Sequence, residues 1–67
     1  MTNEWLIKDY EIRCYNLQNR LTPNKVEMFS IQKEAKRIQR KNKCDYLTAL
    51  KTLKKQLEIK VAQTLGK

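Results

Sequence analysis

The sequence predicts an all-α protein, a small three-helix bundle, from three observations. Glycine and proline occur once each, at Gly66 and Pro23, which leaves a many-turned β-fold without its punctuation. Apolar residues recur three and four positions apart through three successive segments, the period of a helix with one buried face. A chain of 67 residues can close one hydrophobic core but not two, so residues 1–67 form a single domain.

The first helix is expected over about residues 3–21. Leu6, Tyr10, Cys14, Leu17 and Leu21 make its stripe, Thr2 or Asn3 its N-cap, and Glu4 complements the positive end of the helix dipole. Pro23 drives Thr22 out of the α region and so ends the helix. Trp5, Ile7, Ile12 and Tyr15 fall outside the stripe, a surplus of apolar surface that suits a partner or a second copy of the chain.

The second helix is expected over about 23–42, with Thr22 as N-cap and Pro23 at the first helical position, where a missing N–H costs nothing. Met28, Ile31, Ala35 and Ile38 form its stripe, and Asn42 is the candidate last residue. A competing reading leaves Val26 to Ser30 extended, with Ser30 capping a shorter helix. The third helix, about 45–65, is the most regular. Asp45 caps it, Tyr46, Leu50, Leu53, Leu57 and Val61 form its stripe, and Gly66 stands where a C-cap glycine belongs. The short polar turn between them makes helices two and three an antiparallel hairpin.

Composition limits the chemistry. Histidine is absent and the seven carboxylates are scattered, so neither a general acid–base pair nor an activated nucleophile can be named, and an enzyme is not expected. Two cysteines without histidine cannot complete a structural zinc site, and no glycine-rich phosphate loop is present. No metal, cofactor or small-molecule substrate is implied. The opening "MTNEWLIKDYE" lacks the basic and apolar regions of a signal peptide. The expectation is therefore a cytoplasmic chain in which Cys14 and Cys44 act as small buried hydrophobes. No apolar run is long enough to cross a bilayer. The basic amphipathic third helix could lie on a membrane surface, but its apolar face is needed for the core and lacks Trp or Phe anchors.

The formal net charge is +8, which concentrates polyanions around the chain. Residues 1–21 are neutral, while the remainder carries twelve cationic groups against four acids. Within "KEAKRIQRKNKCDYLTALKTLKK" stand Lys33, Lys36, Arg37, Arg40, Lys41, Lys43, Lys51, Lys54 and Lys55. On a wheel of about 100° per residue, Lys33, Lys36, Arg37 and Arg40 fall roughly 80° to 180° from Met28, and Lys51, Lys54 and Lys55 the same distance from Tyr46. An antiparallel pair could thus merge both rows into one strip interrupted only by Glu34 and Glu58. A merely solvated face would interleave Glu and Lys four apart. The scarcity of acids here favours phosphate contacts instead, with DNA preferred over RNA.

Arg37 and Arg40, with Gln32, Gln39 and Asn42 nearby, are the candidates for base contacts. A helix-turn-helix lacks its turn glycine, and a ribbon-helix-helix would carry too long a loop between its helices. Phe29, Tyr46 and Trp5 are expected in the core rather than stacked on bases. The pairing "AKRIQ…YLTALK" resembles short helical pairs of small phage and plasmid accessory proteins; the shared letters cover a third of the chain and assign no site residue. The rival function is an adaptor or inhibitor that docks on another protein, one with an acidic or apolar surface, through Trp5, Ile7, Ile12 and Tyr15.

Overall fold

The computed structural model describes residues 4–65, which form α1 (Glu4–Leu21), α2 (Met28–Asn42) and α3 (Tyr46–Leu65). The expected caps at Thr2 or Asn3 and at Gly66 lie outside the described residues. The three stripes close one interior: Cys14 of α1, Ile31, Ala35 and Ile38 of α2, and Ala49, Leu50, Leu53 and Leu57 of α3 are buried. Half-buried Ile7, Tyr10, Tyr15, Leu17, Leu21, Val26, Met28, Cys44 and Tyr46 pack around them.

The directions of the helices follow from the contacts. Cys14 Sγ–H donates to the Leu50 carbonyl at 3.6 Å, and Tyr46 Oη–H donates to Glu11 Oε2 at 2.8 Å, so the start of α3 lies beside the middle of α1, and the two helices run parallel. Ser30, Ile31 and Glu34, early in α2, share a groove with Leu53, Gln56, Leu57 and Lys60, late in α3. Helices α2 and α3 are therefore the expected antiparallel hairpin, built as a small three-helix bundle.

The start of α2 differs from the expected residue 23. Thr22 does not cap it, and Pro23 is not in it. Residues 22–25 form a β-turn instead, with the Lys25 N–H donating to the Thr22 carbonyl at 3.2 Å and Asn24 at φ 65°. Proline second and a left-handed asparagine third are the residues a type II turn favours. The Asn24 N–H also donates to Asn19 Oδ1 at 3.2 Å, which ties the turn to α1. The extended residue at the N-cap is Glu27 (φ −123°, ψ 147°), not Ser30, and its side chain makes no cap hydrogen bond. The physical reason is Val26: a turn followed by extended backbone lets its side chain pack against the core.

The second connection agrees with the sequence reading. Helix α2 ends at Asn42, Lys43 takes the left-handed conformation (φ 51°, ψ 46°), and the Cys44 N–H closes on the Gln39 carbonyl at 3.3 Å. A lysine at that position costs about 1 kcal/mol relative to glycine. Asp45 then caps α3, its Oδ1 accepting from the Thr48 N–H at 2.8 Å. Hydrogen bonds from Thr48 hold the Asp45 carboxyl below its usual value of 3.8.

Two outcomes follow. Leu50→Ala, which empties the most enclosed apolar position, should lower unfolding stability by about 2–5 kcal/mol, read from denaturant titration. Because folding depresses the Asp45 pKa, its contribution is present above the unfolded value and lost as pH falls through the lower folded one. Asp45→Ala should therefore melt below the native chain at neutral pH, with the gap closing under acid. Asp45→Asn, which keeps the acceptor, should melt near the native chain at neutral pH and lack this acid-dependent loss.

Candidate nucleic-acid interface

The outward face of α2 is made by the positions opposite its buried stripe. Measured from Ile31, Lys36, Arg40, Lys33 and Arg37 lie at roughly 140° to 240°, with Lys41 further round toward α3. All five are exposed. Together with Ser30 and Glu34 they line one shallow depression along the helix. Glu34 Oε2 stands 3.7 Å from Arg37 Nη1, but the arginine side chain stays 80% exposed. An ion pair so open to water is worth about 1 kcal/mol or less and leaves the guanidinium available. Among the described residues, Lys33, Lys36, Arg40 and Lys41 have no carboxylate within ion-pair distance.

The cations of α3 do not join this row, which corrects the expectation of a merged strip. Lys51 Nζ sits 6.0 Å from the centre of the Tyr10 ring on α1, a cation–π distance. Lys54 lines a groove with Arg13, Asn16, Leu17 and Arg20 of α1; its side chain is only 24% exposed and donates to Glu58 Oε2 at 3.0 Å. Lys55 is exposed on the same flank, about 140° round from Leu50. The flank of α3 toward α2 carries Gln56 and, four residues on, Lys60, which lines the cleft between the two helices rather than the outer depression on α2. Exposed Lys43 stands in the turn at one end of α2.

The nine expected residues are thus divided among the outer face of α2, the turn at Lys43 and the α1-facing side of α3. Four cations that sequence reasoning left out are drawn in. Arg13 and Arg20 share the groove with Lys54, while Lys25 and Lys60 line the open end of the cleft between α2 and α3. Their signal was present in spacing: Arg13, Leu17 and Arg20 follow one another at steps of four and three along one flank of α1. Arg13 is committed in part, since its Nε donates to Asp9 at 2.8 Å. Of the candidates for base contact, Arg37, Arg40 and Asn42 are exposed, whereas Gln32 and Gln39 are half-buried.

The aromatic residues depart from expectation more sharply. Tyr46 does pack against the core, and burial followed by the Glu11 carboxylate pushes its hydroxyl pKa upward. Phe29 and Trp5 do not: they are 68% and 64% exposed. Both lie opposite the buried residues of their helices, where no neighbouring element can cover them. In the alternative interface, Trp5 and Ile12 share the outer side of α1 and are exposed, while Ile7 and Tyr15 pack on the core. The four residues therefore do not make one patch.

The thiols are placed as small hydrophobes. Cys14 is fully buried, and desolvation pushes its pKa up to about 11; Cys44 is half-buried against the core. Among the described residues, no helix is long and apolar enough to cross a membrane. No protein-family model, curated protein or solved structure matches this chain.

The division of the cations can be read chemically. In a timed acetylation followed by mass spectrometry, Lys33 and Lys36 should react well ahead of Lys54, whose ammonium is partly covered and held by Glu58. Glu58→Gln should bring Lys54 closer to the others.

Proposed function

We propose that the chain is a small basic nucleic-acid-binding protein, acting in the cytoplasm, whose primary contact is the outer face of α2. The observation that carries this reading is the row of five exposed cations on one helix face, with a single acid among them. Neutralising phosphates releases condensed counterions, so a surface of this kind gains affinity without needing a base-specific pocket. Lys43 extends the row at one end. Lys51, Lys54 and Lys55, facing the α1 side, would serve a separate stretch of backbone or add to the long-range field. Lysines outnumber arginines on the face, which suits point-charge contact with phosphate better than bidentate reading of guanine.

A second reading has its own observation: Trp5 and Ile12 are exposed on one side of α1, and exposed aromatics anchor protein interfaces disproportionately. That side would meet a protein partner or a second copy of the chain.

Two pairs of variants separate these readings. Arg37→Glu with Arg40→Glu should weaken binding to all nucleic-acid sequences alike and reduce the slope of log affinity against log salt by about two. Trp5→Ala with Ile12→Ala should leave that binding unchanged. Affinity that holds constant as salt rises, or that is lost through the second pair alone with the fold intact, would overturn the nucleic-acid reading. Gel shifts at two ionic strengths, with circular dichroism to verify folding, supply the measurement.

A further inference from the structure

Resting on the nucleic-acid reading, we infer that α2 is a single-strand platform: the exposed ring of Phe29 stacks a nucleobase while Lys33, Lys36 and Arg40 hold the adjoining phosphates. The juxtaposition is set by helix geometry. Lys33, Lys36 and Arg40 follow Phe29 at four, seven and eleven positions, spacings that return to the same helix face. Relative to Ile31 these four side chains lie at roughly 140° to 200°. Phe29 and Arg40 are about 16 Å apart along the axis, and the depression lined by Ser30, Lys33, Lys36, Arg37 and Arg40 begins at the residue after Phe29.

Among the described residues Phe29 is the most exposed large apolar side chain, at 68%, and stands in line with cations rather than on an apolar flank. Every base has a π-face, so stacking on such a ring is tolerant of sequence, as is the phosphate contact beside it. Three alternatives fit less well. An intact duplex keeps its bases stacked, and inserting a ring between them requires unstacking a step. A membrane surface would call for a whole apolar helix face, but Ile31, Ala35 and Ile38 are committed to the core, leaving one phenyl ring to insert. A protein would need an apolar socket surrounded by acids, whereas a nucleic-acid strand carries the flat apolar surface and the anionic charge in each residue.

The test is fluorescence anisotropy with a labelled oligothymidylate of about ten nucleotides and a duplex of equal length, at two ionic strengths, with vesicles containing phosphatidylserine and a polyglutamate peptide as further probes. The native chain should bind the single strand more tightly than the duplex. Phe29→Ala should weaken single-strand binding by about five- to a hundredfold and leave duplex binding essentially unchanged. Phe29→Trp should retain affinity, with the emission of the new indole quenched on binding. Circular dichroism verifies folding, which an exposed position does not threaten. Equal losses on both nucleic acids, no loss on either, or a Phe29-dependent preference for vesicles or polyglutamate over the single strand would overturn the platform. If both nucleic acids bind with salt dependence and Phe29→Ala changes nothing, only the stacking fails. If the native chain binds neither, the nucleic-acid function falls with it.

Discussion

The fold depends on the apolar ridge of α3. Leu50, Leu53 and Leu57, with Ala49 beside them, are buried against both other helices, and no other helix has so many enclosed side chains. Helix α1 contributes one fully buried residue, Cys14, and α2 contributes three, of which Ala35 is small. A chain of this size buries only about 60% of the surface its unfolded form exposes, so this thin interior has to be apolar throughout. Among the described residues no polar or charged side chain is buried. The fourteen cationic groups among the described residues are consequently pressed outward, and the distribution of α3 contacts decides which side each one occupies.

Much of the architecture was legible in the letters because helix period is a local property. The steps of three and four through Tyr46, Leu50, Leu53 and Leu57 required no knowledge of the neighbours, nor did the Asp45 cap or the stop at Asn42. The start of α2 was not legible, because Thr-Pro-Asn serves equally well as a helix beginning and as a type II turn. The choice between them rested on Val26 finding the core, a tertiary event that overrides local preference. The split of the basic row had a similar origin. A wheel reports how far Lys51 and Lys54 lie from their own stripe, but not whether that direction leads toward α1 or α2. The handedness of the bundle settles this, and spacing within one helix carries no trace of it.

Phe29 and Trp5 are a different case, since their angular positions were visible and their hydrophobicity was weighed more heavily. Both stand far from the stripe of their helix, and a side chain opposite the stripe is exposed unless another element covers it. Three helices of this length leave each outer face open, so geometry prevails over the transfer preference of the ring. Each outer surface accordingly carries at least one large apolar residue: Trp5 and Ile12 on α1, Phe29 on α2 and Ile59 on α3. What distinguishes Phe29 is its company, since cations follow it at helical spacing.

That company has an energetic consequence for the free protein. Lys33 and Arg37, Lys36 and Arg40, and Arg37 and Lys41 are like charges four apart on one helix, each pair destabilising by about 0.2–0.5 kcal/mol when unscreened. Glu34 relieves this only at Arg37. Helix α2 bears this repulsion on its outer face and is held to the core by Ile31, Ala35 and Ile38 on the opposite one. A polyanion lying along the outer face would remove the repulsion and stabilise the helix it touches. Binding and local folding would then favour each other, as linkage requires of any ligand that prefers the folded state. Salt would act in two opposed ways, screening the self-repulsion of α2 while weakening its hold on phosphate. Stability of the free chain should therefore rise over the same range of ionic strength in which affinity falls, a pairing that a row of neutralised charges would not produce.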